Sequence, residues 1–172
     1  MYITKTEQKH SFEEHLDWYR PYLFLMHLRY DGTFGFPGGF MSDGENPEEA
    51  LLREVVEEQG LDNETIAPTR EDFFYSSLIP KDDLAIHFYM KEIPFDSFLQ
   101  IEKVSCNAEH FGSEVLGTIR VPLYQYNDQF GLPKFLKNQF VGNTKEQILN
   151  ALFIKNYISK ECFESMSKAI AD

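Results

Sequence analysis

The 172-residue sequence predicts an α+β fold, on three observations. Strand-like and helix-like stretches are mixed along the chain, without the strict βαβ alternation of a doubly wound sheet. Hydrophobic residues make up 42% of the chain and aromatic residues 15%, which is ample material for a core and argues against extensive disorder. No internal repeat or low-complexity linker divides the chain. We therefore expect a single domain over residues 1–172.

The first predicted elements are a strand and a loop. Residues 22–29 form an apolar run of strand length, and Asp31-Gly32 then supplies turn chemistry. Residues 35–40 contain three glycines and a proline, which is typical of a loop defined by its backbone.

A helix is predicted next. Pro47 suits the first turn of a helix, and the two glutamates after it favour the helix dipole. Gly60 is a natural end for this helix. Its apolar residues are Leu51, Leu52, Val55 and Val56. We expect Leu52, Val55 and Val56 to be buried and the glutamates on the opposite side to face a cavity.

The remaining elements follow from periodicity. The predicted strands cover residues 73–78, 85–90 and 115–123, and the predicted helices cover residues 95–103, 145–157 and 162–170.

Charge and composition limit the function. The chain has 16 Lys plus Arg against 28 Asp plus Glu, a net charge of −12, which repels a phosphate backbone and favours a small, metal-bridged substrate or an RNA end over an extended duplex. No stretch reaches the roughly 18 apolar residues of a membrane span, and the start lacks the pattern of a secretory signal. Cys106 and Cys162 form no recognisable pair, so we expect reduced cysteines in an intracellular protein.

The helix that starts at Pro47 carries three glutamates on one face. Glu54, Glu57 and Glu58 are three and four positions apart, which at about 3.6 residues per turn places them side by side. Crowded carboxylates repel each other, so a helix does not collect them for stability alone. Arg53 can offset part of the repulsion by reaching Glu57 and, one turn the other way, Glu49.

Divalent cations would offset the rest. Hard ions such as Mg²⁺ or Mn²⁺ prefer carboxylate oxygens. Gly38 and Gly39, just before the helix, let the backbone approach both the metal and the substrate. The inferred chemistry is attack of water on phosphorus, with the metal polarising phosphate oxygens and lowering the pKa of the water. Taken alone, such an acidic face has a second interpretation, a solvated helix surface, which is common in proteins.

The spacing around these glutamates is more specific than their charge. Gly39 and Glu45 are separated by five residues, seven more precede Arg53, and the segment closes on a glycine and a leucine. This pattern over residues 39–61 resembles the Nudix box at every defined position. The resemblance implies the Nudix fold, a mixed β-sheet sandwiched between α-helices, with the three glutamates and Arg53 as the catalytic group.

The resemblance extends to one branch of that superfamily, the small nucleolar RNA-decapping enzymes, which also act as inosine diphosphatases. Together the matching stretches span residues 22–152. They are residues 25–32, 35–40, 75–77, 87–89, 114–117, 120–124, 131–133 and 146–147. This branch implies Mg²⁺ or Mn²⁺, a homodimer, and a nuclear or nucleolar location, with the cytoplasm as the alternative.

The resemblance also assigns roles by position. It implies Glu54, Glu57, Glu58, Glu114 and the Gly38 carbonyl as metal ligands, Arg29 at the substrate phosphate, Phe36 stacked on the purine, Gly39 beside the substrate, and Gln147 at the edge of the base. Without the resemblance, each residue has a second interpretation: Arg29, Glu114 and Gln147 can be surface residues, and Phe36 can be a core residue.

The resemblance is weakest before residue 22. Family members carry a longer N-terminal segment with an early strand and a histidine that contacts the nucleotide. His10 and His15 are the candidates to replace that histidine, although each can equally be a surface residue. The family also contains an inactive relative that serves as an interaction protein and has lost the Nudix glutamates. This chain keeps all of them, which favours an enzyme.

Three functions stay open at this point. The first is hydrolysis of a purine nucleoside diphosphate, especially of inosine, or removal of the cap from RNA. The second is an RNA-binding or scaffold module without turnover. The third is hydrolysis of ADP-ribose, diadenosine polyphosphates or NAD-capped RNA. Lys134, Lys137 and Arg120 can form a modest phosphate-binding patch, although solvated charges are the simpler interpretation.

Overall fold

The computed structural model describes residues 1–6, 16, 18–61, 64–80, 83–126 and 130–171. His10 and His15 lie outside the described residues. The strands are β1 (Tyr2–Lys5), β2 (Trp18–Arg29), β3 (Phe34–Gly35), β4 (Phe73–Ile79), β5 (Leu84–Tyr89), β6 (Lys91–Glu92), β7 (Val115–Tyr126) and β8 (Phe130–Gly131). The helices are α1 (Pro47–Gln59), α2 (Phe95–Val104), α3 (Leu132–Phe135), α4 (Thr144–Ile154) and α5 (Lys160–Ala171). The α+β prediction is confirmed.

The main sheet is mixed and is built around β2. Its strand order is β6-β1-β2-β7-β8, and β3 pairs with β2 beyond the end of β1. β1 and β6 are parallel, whereas the other pairs in this sheet are antiparallel. β4 and β5 form a separate antiparallel pair.

Helices cover both faces of the main sheet, because successive side chains of β2 point to opposite sides. Leu23 and Leu25 enter a smaller apolar cluster with Val55 of α1 and residues of α2. Phe24 and Met26 enter a larger cluster with residues of α4 and α5. The expected mixed sheet between helices is therefore present, and α1 is fixed against the same face of β2 as Leu23 and Leu25.

The N-terminal region differs from expectation. Residues 2–5 form the early strand β1; Tyr2, Ile3 and Thr4 favour strands, but so short a segment does not predict one by itself. Long-range pairing explains this strand, since Ile3 lies opposite Phe24 of β2 on one side and Glu92 of β6 on the other. Both cysteines are free, as expected. Within the described ranges, no helix is long and apolar enough to cross a membrane.

Candidate active site

Local interactions fix both ends of α1, which carries the glutamates. The Asn46 side chain accepts a hydrogen bond from the Glu49 backbone N–H, and the Glu49 carboxylate accepts one from the Asn46 backbone N–H, each at 3.0 Å. This reciprocal pair is a capping box, followed by Pro47 in the first turn. At the other end, Gly60 adopts φ 70° and donates its N–H to the Val56 carbonyl at 2.8 Å. The helix therefore ends where the sequence indicates.

The three glutamates share a helix face but differ in burial. The exposed fraction of the side chain is 25% for Glu57, 12% for Glu54 and only 1% for Glu58. The expectation that the glutamates face a cavity is therefore wrong for Glu58, which is packed between α1 and β2. Val55 is buried as expected, whereas Leu52 and Val56 are only partly buried.

Arg53 organises the exposed part of this face. Its Nη1 contacts Glu54 Oε1 at 2.8 Å and Glu57 Oε2 at 3.1 Å. Its Nε contacts Glu45 Oε1 at 2.8 Å, and this hydrogen bond lowers the pKa of Glu45 to about 2. The predicted pairing of Arg53 with Glu49 is wrong, because the Glu49 carboxylate is engaged in the capping box.

Glu58 is a buried carboxylate held by the loop before the helix. Its Oε2 accepts the backbone N–H of Gly38 at 3.0 Å. Burial raises the pKa of Glu58 to about 8; the negative charges of Glu54 and Glu114 raise it too, while the Gly38 N–H and the charge of Arg29 lower it. The four groups that influence this pKa are the residues that the sequence predicts for the site.

The donor set fits a hard divalent cation in its chemistry. All the donors are oxygens, which such a cation prefers. A methyl group added at Gly39 would overlap the Glu54 carboxylate, so the glycine leaves the space that this carboxylate occupies. As the side chains lie, however, Glu54 and Glu57 are turned toward Arg53. Within the described part of the chain, no three acidic, imidazole or thiol groups meet closely enough to hold an ion.

Arg29 and Glu114 lie next to this helix face. Arg29 ends β2, its Nε is buried without a hydrogen-bond partner among the described residues, and its guanidinium is 6.0 Å from the Tyr30 ring. Glu114 precedes β7, and its side chain is 49% exposed, with Oε1 3.6 Å from His110 Nδ1. The Tyr30 N–H donates to the Glu114 carbonyl at 3.0 Å, which links the two loops. A guanidinium near carboxylates, with its Nε free of a hydrogen bond from the described residues, is suited to a phosphate that arrives with a cation.

Phe36 and Gln147 lie on the other side of β2, at the larger apolar cluster. The Phe36 ring is partly buried, 5.6 Å from Phe88 and 6.3 Å from Phe24, so Phe36 is packed against the core. Gln147 is in the first turns of α4 and is 6% exposed, which excludes a freely solvated helix residue. Their roles toward a purine stay predictions.

The sequence analysis did not identify three residues of the site. His27 and Gln59 are buried beside Glu58. The backbone N–H of His110 donates to the backbone carbonyl of Glu57 at 2.9 Å. The sequence contains a signal for the burial of His27, since Leu23, Leu25 and His27 are alternate residues of β2 and therefore point to the same side, toward α1. By contrast, Arg120 is paired with Glu102 at 2.5 and 2.6 Å, while Lys134 and Lys137 are exposed.

A mixed sheet between helices, with the glutamate helix after a glycine loop, defines the class of protein: a Nudix hydrolase. The sequence profile of the U8 snoRNA-decapping enzyme-like (Nudt16-like) family matches residues 3–158. The chain belongs to this family.

Relatives in the family are of two kinds. The chain is 40% identical to the U8 snoRNA-decapping enzyme of Xenopus laevis over 148 residues, covering 84% of this chain and 70% of the relative. It is 39% identical to the enzyme of that name from Mus musculus over 130 residues, covering 74% and 67%. It is also 36% identical to the Tudor-interacting repair regulator protein of Gallus gallus over 152 residues, covering 87% of this chain but 46% of the relative.

Proposed function

We propose that this Nudix hydrolase cleaves the pyrophosphate linkage of a capped RNA 5′ end, such as that of a small nucleolar RNA, and of purine nucleoside diphosphates, inosine diphosphate in particular. The observation that carries the proposal is the complete glutamate face of α1 beside Arg29, whose buried Nε has no hydrogen-bond partner among the described residues. An RNA substrate of this kind would place the reaction in the nucleus or nucleolus. Assembly as a homodimer stays a prediction, to be measured by light scattering.

In the proposed reaction, water attacks one phosphorus of the pyrophosphate. A new P–O bond forms, the bond to the bridging oxygen breaks, and the leaving phosphate departs with that oxygen. Glu54, Glu57 and Glu58, with Glu114 and the Gly38 carbonyl, would hold a divalent cation, which would polarise the phosphate oxygens and lower the pKa of the water.

The chain's own residues bind and orient the substrate around that centre. Arg29 donates to a phosphate oxygen and stabilises the negative charge that develops there. By the family resemblance, Phe36 contacts the purine, Gly39 lies beside the substrate and Gln147 contacts the edge of the base. One of the site carboxylates accepts the proton that the water loses.

Turnover with and without the key carboxylate tests this function. Purified protein with Mn²⁺ or Mg²⁺ should hydrolyse capped RNA, inosine diphosphate or both, and Glu58→Gln should lose at least ~100-fold in kcat. Removal of the metal with EDTA should abolish turnover. Glu164→Gln, the same chemical change on the exposed face of α5, is the matched control and should retain full activity. Normal turnover by Glu58→Gln contradicts the assignment.

A scaffold function is the second candidate, favoured by the likeness to the Tudor-interacting repair regulator protein. It predicts binding that does not depend on metal, together with no product from any substrate above. A substrate panel extended to ADP-ribose, diadenosine polyphosphates and NAD-capped RNA separates both candidates from a Nudix hydrolase of different specificity.

A further inference from the structure

A polar pair is buried beneath the glutamate face, where the neighbouring positions of β2 are apolar. Leu23 and Leu25 point toward α1 and enter the smaller apolar cluster. His27 is the next residue on that side of the strand and is 1% exposed. Gln59, at the C-terminal end of α1, is fully buried next to it. Two buried polar side chains at an otherwise apolar contact call for a physical reason, because unpaired polar groups there are destabilising.

The geometry of the pair determines where the imidazole proton lies. Gln59 Nε2 is 3.3 Å from His27 Nε2, and an amide nitrogen can only donate, so His27 Nε2 is the acceptor. The ring proton is then on Nδ1, which is 3.6 Å from Glu58 Oε2. The reversed amide would make Nε2 the donor and turn a bare Nδ1 lone pair toward Glu58, which is electrostatically unfavourable when that carboxylate is ionised, as a metal ligand must be.

Two groups lie at Oε2 of Glu58. The Gly38 N–H donates to it at 3.0 Å, and His27 Nδ1 lies 3.6 Å from it, slightly beyond hydrogen-bond distance. Oε1 takes no hydrogen bond from the described residues. This arrangement matches the way in which outer residues orient carboxylate and imidazole ligands in metal sites.

We propose that His27, with its tautomer fixed by Gln59, is a positioning residue that orients the Glu58 carboxylate for its role in the site. The proposal rests on the proposed function for that role. The buried contacts among His27, Gln59 and Glu58 support it independently of any substrate. A simple packing role for His27 is the alternative, and it predicts that any neutral side chain of similar volume serves as well.

The tautomer can be measured without activity. A long-range ¹H–¹⁵N spectrum of the protein saturated with diamagnetic Mg²⁺, which keeps Glu58 ionised, distinguishes Nδ1–H from Nε2–H imidazoles. The His27 signal is the one of five histidines that disappears in His27→Asn. We expect the Nδ1–H tautomer in the wild type and loss of its dominance in Gln59→Leu. An Nε2–H tautomer in the wild type overturns the proposal.

Mn²⁺ affinity, measured by electron paramagnetic resonance, tests the positioning itself. His27→Leu should weaken Mn²⁺ binding and lower kcat by about 10–100-fold, with a smaller change in KM. His27→Asn should recover most of this loss, because its side-chain N–H lies near the position of Nδ1. Leu25→Val is the matched control: it alters a buried residue on the same face of β2 that enters the apolar cluster, so it should lower stability but not Mn²⁺ affinity.

A double-mutant cycle then separates positioning from packing. Gln59→Leu should weaken Mn²⁺ binding in the wild-type background but add no further loss to His27→Leu, since Gln59 acts through His27. Additive losses, or equal Mn²⁺ affinity in His27→Leu and the wild type, contradict the proposal. If His27→Leu does not fold, His27→Asn and Gln59→Leu decide the outcome with the spectrum. If the wild type binds Mn²⁺ with the expected tautomer yet hydrolyses nothing, the proposed function fails while the positioning of Glu58 stands.

Discussion

The position of the Glu54 side chain depends on how closely the loop before α1 approaches the helix. A methyl group at Gly39 would overlap the Glu54 carboxylate, whereas one at Gly117 in β7 would meet no atom within 4 Å. Neither glycine is among those with positive φ, so backbone strain does not enter the comparison. The two positions therefore differ in the proximity of a site carboxylate.

This difference predicts opposite results for the same substitution. Gly39→Ala should displace Glu54 and lower both Mn²⁺ affinity and kcat/KM by about 10–100-fold, the usual range for a disturbed ligand shell. Gly117→Ala should leave both unchanged and alter stability by no more than about 0.5 kcal/mol. The checks are Mn²⁺ titration, steady-state kinetics and urea unfolding of the two variants. Equal kinetics for both variants would show that Glu54 is not fixed where the structure has it.

The sequence predicts site residues well where helix geometry alone relates them. Glu54, Glu57 and Glu58 lie side by side because residues three and four apart share a helix face. The contact of Arg53 with Glu45 depends on the path of the loop before the helix, which no periodicity describes. The burial of Glu58 against His27 depends on how α1 packs on β2, a tertiary contact. Local patterns therefore identify the carboxylates but not their environment.

At the level of elements, the position of the glutamates depends on where α1 begins. The capping box at Asn46 holds the first turn, and no other side chain of the described residues caps that end. Asn46→Ala should therefore lower the free energy of unfolding by about 1 kcal/mol, within the range of about 0.5–2 found for such caps. Urea unfolding curves followed by circular dichroism measure this change.

The control for this prediction keeps the acceptor. Asp is as good an N-cap residue as Asn, so Asn46→Asp should unfold within a few tenths of a kcal/mol of the wild type. Asp43→Ala, in the exposed part of the same loop, should likewise be neutral. A stable Asn46→Ala variant would mean that tertiary packing alone defines the start of α1.

Element boundaries show the same division between local and long-range information. The predicted helix over residues 95–103 is observed as Phe95–Val104, and the strand over residues 73–78 as Phe73–Ile79, because periodicity and end signals are local. The short strands β1 and β6 were not predicted. They have four and two residues, and their parallel pairing with each other is invisible in either segment alone.

For the whole molecule, the distribution of charge limits how an RNA can be held. The net charge is −12, and basic side chains are often engaged by acidic neighbours, as in the ion pairs of Arg53, Lys91 and Arg120. Each phosphate contact in the body of an RNA needs an available cation, and the field of such a protein opposes the backbone. We therefore expect recognition to be concentrated on the 5′ end, where bound metal neutralises the site locally.

This leads to a prediction about substrate length and salt. A capped dinucleotide and a full-length capped RNA should have kcat/KM values within about tenfold of each other, and the plot of log kcat/KM against log salt should be shallow. A single-stranded contact contributes a slope of about −0.7, so one or two contacts near the cap give no more than about −1.5. Inosine diphosphate, which has no RNA body, is the internal reference for effects of salt on the metal site. A slope steeper than about −4 with long RNA alone would require six or more phosphate contacts and would contradict recognition by the 5′ end.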